Sequence, residues 1–296
     1  MDGAAKQGMA GRMDQDGAGA GDRDDDAFVV LRPRTPGRFV FASPHSGTVY
    51  PSIMGADPSL EDASLRSAED ALVDRLITPG VDLGATVILA RLGRAWVDLN
   101  RDPADLDPLL IEGAADGAVS ARTAAGYGVI PRMTGDGRAI YDRRLTLDEA
   151  RRRIAGTHAP YHAALAERLQ AAHAQHGEAV LVDWHSMPAR ATQGAGGARG
   201  PDVVLGDRHG SSCSADLTRR LRRAFEALGW RVALNQPYAG GWTTQRWGRP
   251  SEGFHAIQVE LNRALYFDEA ARSPGPGWSR TEKGVARAIA ALLDGT

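Results

Sequence analysis

Residues 178–183 read Glu-Ala-Val-Leu-Val-Asp, and they follow a long helical pattern over residues 146–176. A run of about four to eight residues with an apolar centre and polar ends is typical of a strand buried inside a sheet. A long helix followed by such a strand is the repeating unit of layered α/β domains. The stretch therefore predicts an α/β fold with this strand inside the sheet.

The same alternation continues on both sides of this strand. Apolar runs predict further strands at residues 38–42, 85–90, 202–206, 231–234 and 255–262. Helical spacing of apolar residues predicts helices at residues 67–80, 213–229 and 281–294. Pro160 is expected to break the 146–176 pattern in two. Strands separated by helices indicate a layered domain with a largely parallel or mixed sheet.

Three segments lack any strand or helix pattern. Residues 1–26 are rich in Gly, Ala and Asp, so we expect a disordered tail ahead of a single domain over residues 27–296. Residues 102–142 and the Gly-rich residues 188–201 are expected to be long loops. Loops of this length in a compact domain are usually functional lids or insertions.

The composition excludes several classes of partner. The net charge is −2, so no basic field indicates a nucleic acid or a membrane surface as partner. No run approaches the roughly 18 apolar residues of a membrane span. Cys213 is the only cysteine, which rules out an intrachain disulfide and fits a reducing compartment. The N-terminus lacks a secretion-signal pattern, so the cytoplasm is the expected location. The oligomeric state stays open.

Two histidines follow predicted strands directly. His45 lies in Ser-Pro-His-Ser-Gly, and His185 lies in Asp-Trp-His-Ser. Ligands of α/β sheets bind beyond the carboxyl ends of strands, so a metal site there would draw its ligands from different strand ends. Asp183 would orient an imidazole or cap the turn. Neither histidine stands in a compact zinc signature, so a metal site and two ordinary turns both stay open.

Other strand ends carry an Asn-Arg pair and a carboxylate. Asn100 and Arg101 offer donors for a substrate carboxylate, although Asp98 and Arg101 would equally form a structural ion pair. Arg94 lies a few residues before Asn100 and would face the reacting carbonyl of a substrate bound there. Glu260 lies among apolar residues, where a carboxylate must be paired, metal-linked or functional. It is either a general base beside a metal-bound water or the partner of a nearby arginine such as Arg263.

The remaining polar features are weaker. Gly240 and Gly241 precede Thr243 and Thr244, whose hydroxyls would bond a substrate or belong to a plain turn. Three further candidates are interpreted as non-catalytic, namely the i, i+4 pair His158 and His162, Cys213 near a helix start without a paired base, and the loop residue His209. Two alternatives stay open, that His162 orders the site and that His209 contacts a substrate.

Taken in order, eight segments of the chain resemble the N-formylglutamate amidohydrolase family. They are Ser43-Pro-His45-Ser-Gly-Thr48, Ser67-Ala-Glu69-Asp70-Ala-Leu-Val-Asp74, Val97-Asp-Leu-Asn100-Arg101-Asp-Pro103, Pro160-Tyr-His162, Asp183-Trp-His185-Ser186, Leu205-Gly-Asp207-Arg208-His-Gly210, Tyr238-Ala-Gly-Gly241-Trp-Thr-Thr244 and Gln258-Val-Glu260-Leu-Asn262-Arg263-Ala-Leu-Tyr266. The resemblance runs from about Phe39 to Phe267, and the tail, the Gly-rich loop and the last helix lie outside it.

This resemblance implies a three-layer fold similar to the zinc carboxypeptidase and aspartoacylase group, with a central mixed, mostly parallel sheet and helices on both faces. It also implies one Zn²⁺ per chain, held by His45, His185 and a carboxylate. Zinc carboxypeptidases carry His-x-x-Glu, but Thr48 occupies that position here. The family pattern suggests Asp70 as the third ligand, with Glu69 as the alternative. Adjacent helical residues point about 100° apart, so both are not expected to reach one metal.

The activity implied by the resemblance is zinc-dependent hydrolysis of the amide bond in a small N-formyl or N-acyl acidic amino acid such as N-formylglutamate. The products would be formate and the free amino acid, as in amino-acid catabolism and histidine degradation. Glu260 would act as general base and Arg94 would stabilise the oxyanion. Asn100, Arg101 and Thr244 would bind the substrate. The alternatives are a zinc peptidase acting on small peptides or cell-wall fragments, and a non-catalytic binding protein of the same fold.

Overall fold

The computed structural model describes residues 27–115, 119–192 and 199–294. The predicted tail over residues 1–26 and residues 193–198 of the Gly-rich loop lie outside the described residues. The strands are β1 Phe28–Leu31, β2 Phe39–Ser43, β3 Thr86–Ala90, β4 Ile111–Glu112, β5 Leu145–Thr146, β6 Ala179–Met187, β7 Val203–Gly206, β8 Val232–Leu234, β9 Phe254–Asn262, β10 Phe267–Asp268 and β11 Ser273–Pro274. The α-helices are α1 Asp62–Leu65, α2 Val73–Ile77, α3 Ala121–Ala124, α4 Leu147–Arg153, α5 Ala159–His176, α6 Ala215–Glu226, α7 Trp242–Trp247 and α8 Trp278–Leu293.

Seven of the strands form one sheet in the order β1-β3-β2-β6-β9-β7-β8. The four central strands, β3, β2, β6 and β9, run parallel to one another. β1 is antiparallel at one edge, β7 is antiparallel to β9, and β8 is parallel to β7. The prediction of a mixed, mostly parallel sheet is therefore confirmed.

Helices cover both faces of this sheet because its buried strands alternate their side chains between two layers. Phe39 and Phe41 point into a core shared with α2, α6 and α8. Val40 and Ala42 point the other way, onto α5 and onto Trp247 of α7. The three-layer prediction is confirmed by this packing. Within the described residues, no helix has the length and hydropathy needed to cross a bilayer.

Two of the predicted helices differ from the structure. Of residues 67–80, only Val73–Ile77 form an α-helix. Glu69 and Asp70 lie in the preceding turn, where the Asp70 backbone N–H donates to the His45 carbonyl at 2.9 Å. Pro160 does not break its helix, because it lies in the first turn of α5 and the preceding residues Ile154–His158 form a π-helical segment that continues from α4.

Two other boundaries bear directly on the polar residues. β6 extends through Met187, so His185 lies inside the strand and not after it. The extension arises because β6 pairs with β9 along its whole length, up to Met187 opposite Asn262. α7 was not predicted, since its residues follow the Gly240-Gly241 turn and carry no apolar periodicity.

Residues 102–142 contain little regular structure, as predicted, apart from α3 and β4. Their apolar side chains Ile111, Val129, Ile130 and Ile140 nevertheless belong to a separate core, which they share with residues outside the segment such as Trp96. The segment is thereby packed against the sheet edge where β2 ends, and it contributes one wall of the cavity described next.

Candidate active site

A cavity of about 690 Å³ opens at the carboxyl ends of β2, β6 and β9. His45 enters it two residues after β2 ends, and His185 and Glu260 lie opposite each other in the register of β6 and β9. The cavity lining includes all but one of the predicted site residues, namely His45, Asp70, Arg94, Asn100, Arg101, His185 and Glu260. The chain thus brings together residues that are up to 215 positions apart in sequence (260 − 45).

Three buried ligand atoms converge at the centre of this cavity. His185 Nδ1 lies 3.1 Å from His45 Nδ1 and 2.9 Å from Asp70 Oδ2. His45 Nδ1 lies 3.3 Å from the same Asp70 oxygen. Ligands placed tetrahedrally about 2.0–2.1 Å from a zinc ion are about 3.3 Å apart. Among the described residues, these three form the one group of His, Cys, Asp or Glu side chains with metal-site spacing.

The far side of each imidazole faces a carboxylate. His45 Nε2 lies 2.7 Å from Asp98 Oδ1, and His185 Nε2 lies 2.9 Å from Asp183 Oδ2. The Asp98 contact holds a proton on His45 Nε2 and directs the Nδ1 lone pair of this ring towards Asp70 and His185. Because the Nδ1 atoms of both rings and one Asp70 oxygen meet at the same point, a cation bound between them would compensate the buried carboxylate charge.

Electrostatics at the centre also favour a cation. Burial opposes a positive charge on His185, but the contacts with Asp183 and Asp70 outweigh it and raise the pKa of this histidine. Burial likewise opposes the charge on Asp70, yet the contacts with His185 and His45 hold the pKa of this carboxyl well below its ordinary value. A divalent metal ion would satisfy all three groups at once.

Asp70 and Glu69 point to different surroundings. The second oxygen of Asp70 accepts hydrogen bonds from Ser186 Oγ and from the Arg263 guanidinium, each at 3.2 Å, so only Oδ2 faces the histidines. Glu69 is held by hydrogen bonds from three side chains, those of Tyr50, Arg66 and Arg272. Glu69 therefore takes no part in the convergent group.

Glu260 is buried beside this group, and burial raises its pKa to about 7. Its Oε1 accepts a hydrogen bond of 2.7 Å from Gln258 Nε2. The alternative role predicted for it, a salt bridge to Arg263, is not formed, because Arg263 contacts Asp70, Ser186 and Glu269. Among the described residues, no side chain donates a hydrogen bond to the second oxygen of Glu260.

Asp98 organises the arginines of the site. Arg94 donates to Asp98 Oδ2 at 2.6 Å and to the Ala68 carbonyl at 3.3 Å. Arg101 lies 4.0 Å from the same Asp98 oxygen, and it donates to the carbonyls of Tyr127 and Asn100 at 2.9 Å each. The predicted alternative of an Asp98–Arg101 ion pair is thus present only as a long contact, and Asp98 mainly serves His45 and Arg94.

Asn100 and Thr244 serve the backbone around Gly241. Asn100 Oδ1 accepts from the Thr243 N–H at 2.8 Å, and its Nδ2 lies 3.2 Å from His185 Nε2. Thr244 is fully buried and donates to the Gly241 carbonyl at 2.9 Å. It is not among the described side chains that line the cavity. A Cβ on Gly241 would lie 2.5 Å from the Asn100 amide, so this close approach requires glycine.

The residues interpreted as non-catalytic lie outside the convergent group. His158 Nε2 and His162 Nε2 contact the carbonyls of Arg101 and Leu99, at 2.9 and 2.8 Å. They therefore support the segment that carries Asn100. Cys213 is buried in the core, and burial raises the pKa of its thiol to about 12. His209 lies exposed in the loop after β7.

Three cavity residues were not assigned a role from the sequence. Asp98 was considered only as an ion-pair partner, and its contact with His45 depends on a long-range approach that spacing does not reveal. Gln258 lies two residues before Glu260, and a strand places such residues on the same face. The sequence alone could therefore have placed Gln258 beside Glu260. Arg208 also lines the cavity.

Comparison with known proteins extends over most of the chain. Residues 37–267 match the family model described as N-formylglutamate amidohydrolase. A protein of Pseudomonas aeruginosa named N-formylglutamate deformylase is 32% identical over 250 residues, which is 83% of this chain and 88% of the relative. A protein of the same name from Pseudomonas putida is 30% identical over 233 residues, 78% of this chain and 82% of the relative.

Among solved structures, the N-formylglutamate amidohydrolase of Ralstonia eutropha is similar with a TM-score of 0.84 and 33% sequence identity. The similarity covers 90% of this chain and 97% of that one. The residues matched by the family model include every side chain that lines the cavity.

Proposed function

Since the chain belongs to the N-formylglutamate amidohydrolase family, we propose that it is a zinc-dependent amidohydrolase that cleaves the amide bond of an N-formyl or N-acyl acidic amino acid, with N-formylglutamate as the first candidate. The products are formate and the free amino acid, which suits a role in amino-acid catabolism such as histidine degradation. The compartment proposed for this reaction is the cytoplasm.

The observation that carries the proposal is the convergence of His45 Nδ1, His185 Nδ1 and Asp70 Oδ2 beside the buried Glu260. Two imidazoles and one carboxylate are the ligand set of catalytic zinc sites, which keep a position free for water. When bound there, Zn²⁺ supplies a Lewis acid and lowers the pKa of a coordinated water towards about 7.

Glu260 is the general base of the proposed reaction. It takes a proton from the attacking water and delivers it to the nitrogen of the leaving amine as the amide bond breaks. The raised pKa that burial gives this carboxyl suits both steps, because the group must accept and release a proton near neutral pH. Gln258 fixes its orientation through the hydrogen bond to Oε1.

Two arginines complete the proposed site. Arg94 directs its guanidinium into the cavity from its anchor on Asp98, and its remaining N–H groups stabilise the negative charge that develops on the carbonyl oxygen. Arg101 binds a carboxylate of the substrate with the N–H groups that Tyr127 and Asn100 leave free. Asn100 positions the adjacent backbone by accepting from the Thr243 N–H, and Thr244 supports the same turn by donating to the Gly241 carbonyl.

The proposal is tested by measuring formate release from N-formyl-L-glutamate by the purified chain, before and after removal and return of Zn²⁺. We expect turnover that chelation abolishes and zinc restores, with about one zinc bound per chain. A panel of N-formyl and N-acetyl derivatives of Glu, Asp and Gln, together with a small peptide, identifies the acyl group and the amino acid. Absence of formate release from the zinc-loaded chain, or faster peptide cleavage, would contradict the proposal.

A further inference from the structure

Arg208 stands at a strained position in the loop that follows β7. Its backbone φ is +52°, and that of His209 is +58°, a left-handed conformation that non-glycine residues rarely adopt. Hydrogen bonds with neighbouring residues hold the loop in this conformation. The side chains of Asp207 and Asn235 join at 2.9 Å, and the Arg208 N–H donates to the Ala239 carbonyl at 2.7 Å. Backbone strain maintained in this way is characteristic of functional positions.

The Arg208 side chain lines the cavity without a protein partner. It is half-buried, and among the described residues no carboxylate lies within 4.0 Å of its guanidinium and no acceptor takes a hydrogen bond from it. Arg94, Arg101 and Arg263, which line the same cavity, all have such contacts. Arg122 lines the cavity without them too, but its side chain is exposed to solvent, whereas Arg208 is half-buried. Arg208 is therefore a half-buried cation whose five N–H donors are free for a ligand.

The position of Arg208 relative to the proposed site follows from the Gly240-Gly241 turn. A Cβ on Gly240 would lie 3.0 Å from Arg208 Cγ, and a Cβ on Gly241 would lie 2.5 Å from the Asn100 amide. Consecutive Cα atoms are about 3.8 Å apart, so Arg208 and Asn100 flank neighbouring points of one backbone segment. Gly241 also donates to Gln258, the residue bonded to Glu260. Arg208 thus borders the reacting centre on the side of β7, whereas Arg101 borders it on the side of residues 97–103.

From this placement we propose that Arg208 binds the second carboxylate of a dicarboxylic substrate, while Arg101 binds the first. The inference deepens the proposed function and rests on it for the identity of the substrate. The carboxylate carbons of an extended glutamyl group are about 5 Å apart, as four carbon–carbon bonds of about 1.5 Å require. A free guanidinium fork pairs with a carboxylate in bidentate fashion and rejects the neutral amide of the same shape. Arg208 is therefore the residue that selects an acidic side chain over an uncharged one.

The decisive variant is Arg208→Asn, because asparagine tolerates the left-handed conformation and removes the guanidinium. We expect the KM for N-formyl-L-glutamate to rise by about 10- to 100-fold with little change in kcat. The kcat/KM for N-formyl-L-glutamine should stay within a few fold, so that the preference for the acid disappears. The melting temperature should be equal or higher, because asparagine relieves strain.

Arg190→Asn is the matched control, since Arg190 is exposed at the rim of the same cavity and donates to the Gly135 carbonyl. It removes one positive charge from the cavity and should leave the Glu-over-Gln preference unchanged. An equal loss of preference in both variants would show a general effect of charge and overturn the assignment. So would an Arg208→Asn variant that melts lower and loses activity on both substrates in the same proportion, because that result indicates a structural role.

A binding measurement separates this inference from the proposed function. Calorimetry with glutarate and butyrate compares a dicarboxylate with a monocarboxylate in the full chain, without any turnover. We expect glutarate to bind more tightly to the wild type, and Arg208→Asn to remove that advantage. If the wild type releases no formate, the proposed function fails, and the glutarate titration still decides whether Arg208 is a carboxylate site. Equal glutarate affinity in wild type and variant would overturn the inference.

Discussion

His45 Nε2 lies 2.7 Å from Asp98 Oδ1, on the side of the imidazole opposite to the Nδ1 atom that faces Asp70 and His185. Asp98 is 1% exposed, and its other oxygen accepts from Arg94 at 2.6 Å. The hydrogen bond holds the His45 proton on Nε2, so the Nδ1 lone pair is presented to the centre of the site. Asp98 thereby fixes both the tautomer of His45, a proposed metal ligand, and the position of Arg94, the proposed oxyanion donor.

This link predicts that Asp98→Asn weakens metal binding. The amide cannot compensate the charge of a metal-bound imidazole, and it leaves Arg94 without its carboxylate. We expect zinc affinity to fall by about 10- to 100-fold. Competition with a chelator of known affinity measures the change. Asp107→Asn is the matched control, because Asp107 is another buried carboxylate in contact with an arginine, Arg132, and lies outside the cavity lining. Equal zinc affinity in wild type and Asp98→Asn would contradict the predicted role.

The choice between Asp70 and Glu69 as third ligand gives a second prediction. Asp70→Asn should lose most bound zinc, because it removes the charged oxygen that faces both histidines. Glu69→Gln should keep zinc, since Glu69 is held by Tyr50, Arg66 and Arg272. The Glu69→Gln substitution should instead lower the free energy of unfolding by about 1–3 kcal/mol. Metal analysis of both proteins, purified well below their melting temperatures, decides the matter, and zinc loss in Glu69→Gln alone would reverse the assignment.

The layered fold could be predicted from the sequence because it depends on local patterns. The apolar runs at residues 38–42, 85–90 and 255–262 coincide closely with β2, β3 and β9. The prediction failed where tertiary contacts override local propensity. The apolar spacing over residues 67–80 is helical, yet the turn before α2 is drawn to the His45 carbonyl through the Asp70 N–H.

The candidate site could be predicted in part for the same reason. His45 follows its strand, His185 and Glu260 lie near the carboxyl ends of theirs, and parallel strands bring these ends to one edge of the sheet. Asp70 came from the family resemblance; the comparisons confirm the family, and the role of Asp70 as a ligand stays a prediction. The contact between Asp98 and His45 joins residues 53 positions apart, and the guanidinium of Arg208 is free because no carboxylate of the described residues lies within 4.0 Å of it. Neither relationship can be predicted from the spacing of residues in the sequence.

Glu260→Gln provides the third prediction. The amide keeps the shape of the side chain and its contact with Gln258, but it cannot accept a proton from water. We expect kcat to fall by about 10²- to 10⁴-fold while bound zinc stays at the wild-type level. Formate release under single-turnover conditions, with zinc content measured on the same sample, checks both parts. Gln258→Glu is a useful companion, because it moves a carboxylate two residues along the same strand and should not restore turnover in the double variant. Wild-type rates in Glu260→Gln would remove this residue from the mechanism.

A last prediction concerns stability and pH through His162. Its Nε2 donates to the Leu99 carbonyl at 2.8 Å, and its Nδ1 accepts from Trp247 Nε1 at 3.3 Å. Both contacts require the neutral ring, and burial lowers the pKa of His162 to about 3. Burial also lowers the pKa of the neighbouring His158.

The sign of the effect follows from linkage. The unfolded chain binds a proton at this histidine below about pH 6.5, whereas the folded chain stays neutral until about pH 3. The stabilisation from the neutral His162 is therefore complete above about pH 6.5 and is lost as the pH falls towards 3. His162→Gln should be less stable than the wild type at pH 7.5, and this difference should shrink by up to about 1.4 kcal/mol per pH unit below 6.5.

Urea unfolding of both proteins at pH 7.5, 6.0 and 5.0 measures the difference, and contributions from histidines distant from His162 cancel in it. His176→Gln is the control, because His176 lies exposed at the end of the same helix and contacts only the Pro36 carbonyl at 3.2 Å. We expect its free energy of unfolding to follow the wild type at every pH. A His162→Gln difference that stays constant from pH 7.5 to 5.0 would mean that the folded chain binds the proton as readily as the unfolded chain, and the buried neutral pair beneath Asn100 and Arg101 would then have no part in the pH dependence of stability.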